Sequence, residues 1–253
     1  MGKLTDIIKR SGRTEPAAMG FAPSARKSHP SMLIVAIAGD HWPRAVSDAI
    51  DAGADALLLA GRPGDKDVED AIAAAKDHAC GLLAPDASPE QLARLREAGL
   101  DFVIIGPNAP AAAVIEEKLS LAFQLRDELT DIQLRALDAM PFEAIYIDRE
   151  AAPTTIMRLV ELQRIAGLAR KPLIAHVVAE SGQNDLVALR DAGVAMVAID
   201  MKERSPADAL RKLRETIDGL PRRRVRREDR ASVALSYPSG AGEPEADENG
   251  DDE

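Results

Sequence analysis

Asp191-Ala192-Gly193-Val194-Ala195-Met196-Val197-Ala198-Ile199 joins the end of a helix directly to a buried strand. The same joint stands at Asp51-Ala52-Gly53-Ala54-Asp55-Ala56-Leu57-Leu58-Leu59 and at Glu97-Ala98-Gly99-Leu100-Asp101-Phe102-Val103-Ile104-Ile105. A worn copy is Asp138-Ala139-Met140-Pro141-Phe142-Glu143-Ala144-Ile145-Tyr146-Ile147. Glycine just past a helix takes the left-handed C-cap at little steric cost. An apolar run without polar alternation is the pattern of a strand covered on both faces, as in a parallel sheet. The spacing leaves room between copies for one further strand and helix, so each copy marks every second βα unit of an eight-unit closed barrel.

The intervening sequence supplies those units. Met32 to Ala38, Cys80 to Ala84, Leu119 to Gln124 and Leu173 to Val178 read as the odd strands, with the joints leading into the even ones. Pro43 opens the helix after the first strand, Val68 to His78 forms the next, Pro110 to Glu117 a short one, and Pro153 opens the sixth. Ser88-Pro89-Glu90-Gln91 and Thr130-Asp131-Ile132-Gln133 are capping boxes, a hydroxyl at the N-cap with glutamine three residues on. Strict strand-helix alternation with short connections requires a parallel sheet and right-handed crossovers.

The bulk numbers agree. The 253 residues match one (βα)8 barrel. With 46% apolar residues but only 3% aromatic, the core must be made of Ala, Leu, Ile and Val. The expected fold class is α/β, a single (βα)8 TIM barrel over 31–221. An N-terminal extra helix and lead-in occupy 1–30, with Leu4, Ile7 and Ile8 on one helical face that covers the lower mouth. A basic-then-acidic tail over 222–253 has no apolar period and is expected to be disordered.

Net charge is −10, much of it in the terminal run from Glu243 to Glu253, so the acidity argues for solubility and against nucleic acid as a partner. Arginines from Arg222 to Arg230 precede that run; the segment reads as a solubilising tail, with a docking segment for a protein partner as the alternative. The single cysteine, Cys80, rules out an intramolecular disulfide and fits a cytoplasmic protein. No stretch approaches the ~20 apolar residues needed to span a bilayer, and the first residues lack the core of a signal peptide.

In such barrels chemistry sits at the C-terminal ends of the strands. The residues there are Asp40, Arg62, Asp86, Asn108, Gln124, Asp148, His176 with Glu180, and Asp200 with Lys202. His176 stands out inside the otherwise apolar Leu173-Ile174-Ala175-His176-Val177-Val178, either as an acid-base group or as a core histidine held by a carboxylate. His176, Asp148 and Asp40 are the catalytic candidates; Arg62, Asn108 and Lys202 are the candidates for holding a small anionic substrate.

Ala179-Glu180-Ser181-Gly182-Gln183-Asn184-Asp185-Leu186-Val187-Ala188-Leu189-Arg190-Asp191-Ala192-Gly193-Val194 resembles the seventh loop and helix of the phosphate-binding, aldolase-type barrels. That group includes ribulose-phosphate-binding enzymes and flavin-dependent oxidoreductases. The resemblance implies a phosphate held by backbone N–H groups of glycine-rich turns after strands 7 and 8 and of a helix N-terminus, here Ser181 and Gly182. The second turn departs from the pattern: Asp200-Met201-Lys202-Glu203-Arg204 has no glycine and places a carboxylate where the anion would lie.

Other barrel chemistries fit less well. Ala144-Ile145-Tyr146-Ile147 lacks a Schiff-base lysine, and the few His and Cys residues are too scattered for zinc. A carboxylate pair for magnesium is incomplete, since strand 5 ends in Gln124 beside Asp148. No cofactor is assigned. The expected function is a lyase- or isomerase-type enzyme on a small anionic, phosphorylated metabolite, with a homo-oligomer or a tail-bound protein as the expected assembly; the alternatives are a barrel that has lost catalysis and binds a partner, or a flavin-binding barrel.

Overall fold

The structure, a computed structural model, describes residues 3–12, 32–39, 42–115, 119–201 and 206–221. Asp40, Lys202 and the tail 222–253 lie outside the described residues, as does most of the lead-in.

The strands are β1 (Leu33–Ala38), β2 (Ala56–Leu59), β3 (Ala79–Leu83), β4 (Phe102–Ile105), β5 (Ser120–Leu125), β6 (Ala144–Ile147), β7 (Leu173–His176) and β8 (Val194–Asp200). They close in sequence order into one parallel barrel, with β8 returning to β1. The helices are α1 (Lys3–Gly12), α2 (Trp42–Asp51), α3 (Lys66–Ala75), α4 (Pro89–Glu97), α5 (Asp131–Asp138), α6 (Ile156–Ala169), α7 (Gln183–Asp191) and α8 (Pro206–Asp218). After β4 the described residues form a 3-10 turn, Ala111–Ile115, where a short helix over Pro110 to Glu117 is expected from the sequence.

Elsewhere the boundaries move by a few residues for identifiable reasons. α6 begins at Ile156 and not at Pro153, because the Thr155 hydroxyl accepts from the Arg158 N–H and forms the cap. Both capping boxes are present: Ser88 Oγ accepts from Gln91 N at 3.3 Å while Gln91 Oε1 accepts from Ser88 N at 2.8 Å. Thr130 and Gln133 repeat the exchange.

The helix-to-strand joints lie at the lower end of the barrel. Gly53, Gly99 and Gly193 have φ of +97°, +93° and +103°. In the first two joints the residue after glycine donates back to the helix, Ala54 N to Ala49 O at 3.0 Å and Leu100 N to Leu95 O at 3.1 Å, satisfying an end carbonyl. The acids Asp51, Glu97, Asp138 and Asp191 of the motif are all exposed. A different acid, two residues past the glycine, ties the joint to the preceding strand. Asp55 N donates to Ile34 O at 2.9 Å while its carboxylate accepts from Ile34 N at 2.8 Å. Asp101 makes the same two bonds with Cys80, at 2.9 and 3.0 Å. Arg214 of α8 adds a 2.8 Å ion pair to Asp55.

A Cβ on Gly193 would also lie 2.4 Å from the Cβ of Ala166. Gly64, at φ +93°, has nothing within 4 Å of such an atom and isolates the backbone term. Gly193→Ala is expected to cost roughly 3 kcal/mol and Gly64→Ala roughly 1 kcal/mol by urea denaturation, the difference being overpacking. Equal losses would remove the packing part of this account.

Period-two alternation divides the strand side chains into two layers. Ile34, Ala36, Leu57, Leu59, Leu82 and Val103 face outward and pack with the helices in one buried cluster. Val35, Ile37, Leu58, Phe102, Ile104, Tyr146, Ile174 and Met196 face the barrel axis in a second. Fully buried Leu4 belongs to the inner cluster with Leu33, at the start of β1, so α1 covers the lower end. Inner positions are small where neighbours are large: a Cβ on Gly81 would lie 2.2 to 2.4 Å from the Phe102 ring.

Candidate active site

Following the inward phase up β5 to β8 leads from Ala122 to Gln124, from Ala144 through Tyr146 to Asp148, from Ile174 to His176, and from Ala198 to Asp200. Four adjacent strands therefore aim polar groups at the axis of the upper end, above a floor that is apolar but for the buried hydroxyl of Ser120 at the start of β5.

Tyr146 and His176 form the centre. Tyr146 Oη lies 2.6 Å from His176 Nε2, and the rings are 5.4 Å apart and tilted by 57°. Burial lowers the His176 pKa below its ordinary 6.5, against the pull of Asp148 and Asp200 in the other direction. Burial also raises the Tyr146 pKa, reinforced by the same two carboxylates and opposed by Arg126. Both shifts favour the uncharged forms. With the imidazole neutral and Nδ1 carrying its proton, the phenol donates to Nε2 and the two hold one transferable proton between them.

Asp148 is held beside this pair. Its Oδ2 accepts from Gln124 Nε2 at 2.7 Å and from Arg126 Nε at 2.8 Å. Gln124 is buried, and a Cβ on Gly106 would lie 3.1 Å from its Oε1, so the glycine leaves the space in which the amide sits. His176 is fixed from behind: Arg158 of α6 donates from Nη2 to the His176 carbonyl at 2.7 Å and from Nη1 to Ala152 O at 3.4 Å. One guanidinium thus ties the end of β7 to the loop after β6.

Of the residues singled out in the sequence, His176 and Asp148 come together. Arg62 and Asn108 continue the inward phase beyond β2 and β4 but are exposed at the rim. Ser181 is buried and Gly182 caps α7. The Gly182 N–H already donates to Asp185 Oδ2 at 3.3 Å, so an incoming anion meets a carboxylate at that helix end. Tyr146, Arg126 and Arg158 are additions from the structure. Tyr146 hides within an apolar run, yet its phase with Asp148, two residues on, is the signal that marks it as inward. Among the described residues no group of three or more His, Cys, Asp and Glu side chains is arranged to hold a metal ion, and no helix is long and apolar enough to cross a membrane.

A closed eight-stranded parallel barrel with its polar cluster at the C-terminal strand ends is a (βα)8 TIM barrel. No family model and no curated protein sequence matches the chain. Solved structures do. Thiamine phosphate pyrophosphorylase from Pyrococcus furiosus superposes with a TM-score of 0.57 at 14% identity, covering 75% of this chain and 96% of that one. Phosphoribosyl anthranilate isomerase from Thermus thermophilus gives 0.58 at 16%, covering 75% and 100%. KGPDC from Streptococcus mutans gives 0.58 at 11%, covering 74% and 97%. The likeness is one of fold.

Proposed function

We propose that the protein is an enzyme of lyase or isomerase type that moves a proton on a small anionic, phosphorylated metabolite at the upper end of the barrel. The observation that carries the reading is the 2.6 Å Tyr146–His176 contact, two neutral acid-base groups on adjacent strands, with Asp148 oriented beside them by Gln124 and Arg126. Proton transfer needs a base poised near neutrality within reach of the substrate, and a half-buried imidazole with a lowered pKa is uncharged at pH 7 and able to accept. Support for a phosphorylated substrate comes from the names of the superposed structures, thiamine phosphate pyrophosphorylase and phosphoribosyl anthranilate isomerase. Arg62 and Asn108 at the rim are assigned to the anion, with Lys202 as a further candidate from the sequence and Ser181 and Gly182 at the helix end.

One observation favours a second reading, a barrel that binds without catalysing. The N–H of Gly182 is taken by Asp185, so the end of α7 that would grip phosphate already holds a carboxylate of the chain itself. Thermal shifts against a panel of phosphorylated metabolites and free flavins separate the two, because stabilisation grows with ligand concentration over affinity. A phosphorylated compound is expected to raise the melting temperature in proportion to the logarithm of its concentration, and Arg62→Ala is expected to weaken the response. A flat profile across the panel points to the non-catalytic barrel, and a response confined to flavins points to a flavoprotein.

A further inference from the structure

The outer surfaces of α5 and α6 differ from a solvated helix face. On α6 the outward positions begin with Ile156, Met157 and Val160, which are 79%, 73% and 53% exposed. Further along the same side come Gln163 and Gly167, and a Cβ on Gly167 would meet nothing within 4 Å. On α5, Ile132 is 79% exposed, and Ala136 shares its outward side. The two helices are neighbours, tied by Arg164, which donates to Asp131 Oδ1 and to the Leu129 carbonyl at 2.8 Å each. Apolar side chains three and four apart, on the side of a helix turned away from its own core, are what a helix shows when another body covers it.

We propose that a second copy of this chain covers this face, the two pairing about a two-fold axis through their α5–α6 outer surfaces. Two features favour a like partner. The first is charge. Arg164 pairs with Asp131 at 2.7 Å, Arg170 with Asp138 at 3.8 Å and Arg149 with Glu161 at 2.6 Å. These pairs neutralise much of the border of the apolar strip within one copy, while Arg135 stays exposed beside Ala136. A two-fold axis sets each patch against itself, so an unpaired charge there would meet its own sign. The paired residues of this border avoid that cost in a chain whose net charge is −10. The second is area. Ile132, Ile156, Met157 and Val160 bare on the order of 500 Å² of apolar side chain per copy, so a pair removes about 1,000 Å² from water, the size at which a contact becomes specific. Gly167 and Ala136 lack bulk and let two helix pairs approach closely.

Analytical ultracentrifugation of the full chain across a concentration series tests this. The 27.0 kDa chain is expected to reach twice its monomer mass. Met157→Glu/Val160→Glu is expected to remain monomeric throughout with an unchanged circular dichroism spectrum. Ile115→Glu, at an equally exposed apolar residue elsewhere on the barrel, is expected to dimerise as the parent does. If the double glutamate variant fails to fold, Met157→Ser/Val160→Ser replaces it, with dimer loss again expected. A parent chain that is monomeric at every concentration overturns the proposal. So does a dimer that survives either double variant, or one that Ile115→Glu abolishes equally.

Discussion

Phe102→Ala is expected to lower the unfolding free energy by about 3–5 kcal/mol, a large part of the ~5–15 kcal/mol that holds a typical domain together. The Phe102 side chain is fully buried on the barrel axis, and its ring lies within 2.4 Å of the place a Cβ on Gly81 would take. The two positions thus share one volume. Gly81→Ala alone is expected to cost about 1–3 kcal/mol through overpacking. Gly81→Ala/Phe102→Leu is expected to be more stable than the sum of its single changes by at least about 1 kcal/mol, since each change makes room for the other. Urea denaturation of the four proteins gives the coupling. Strict additivity would mean that the ring does not occupy the glycine's space.

His176→Gln is expected to reduce turnover of any substrate the panel identifies by roughly 10²–10⁴-fold while leaving the melting temperature at pH 8 nearly unchanged. A parallel loss of stability would instead mark a histidine that serves packing. The pH dependence follows from the direction of the shift. The unfolded chain protonates this imidazole near 6.5, whereas the folded protein does so only at lower pH because burial disfavours the charge. Between the two values the unfolded state binds more protons. The contribution of His176 to stability is therefore complete above 6.5 and is lost as pH falls through that interval. Urea titrations at several pH values should show a slope there in the parent that His176→Gln removes. In the enzyme reading, turnover falls on the acid side of the same range, as the base becomes protonated. An NMR titration of the ring that placed its pKa at or above 6.5 would defeat both expectations.

The barrel is legible in the sequence because its signals are local and repeated. The joints at Gly53, Gly99 and Gly193 need a left-handed residue, and the runs behind them are apolar on both faces. The turn after β4 is less legible, since Ala111-Ala112-Ala113-Val114-Ile115 suits an α-helix as well as a 3-10 turn, and the choice depends on what it packs against. The site is half legible. Asp148 and His176 stand out as polar residues at the ends of apolar runs, but Tyr146 does not, because an aromatic within a strand fits the core equally well. Its role depends on a neighbour thirty positions away in sequence, brought into reach by the pairing of β6 with β7. Arg158 was hidden for a similar reason: its target is a backbone carbonyl, which carries no sequence signal.

The Phe102 ring in the place of a Gly81 side chain makes the lower barrel a solid plug. Among the described residues this plug closes the lower end, so in the proposed reading a ligand enters and leaves from above. Leu4 of α1 packs into the underside of that plug, so trimming the helix is expected to loosen the fold without changing access from above. The two ends can then change independently over generations, the lower under pressure for stability and the upper under pressure for chemistry.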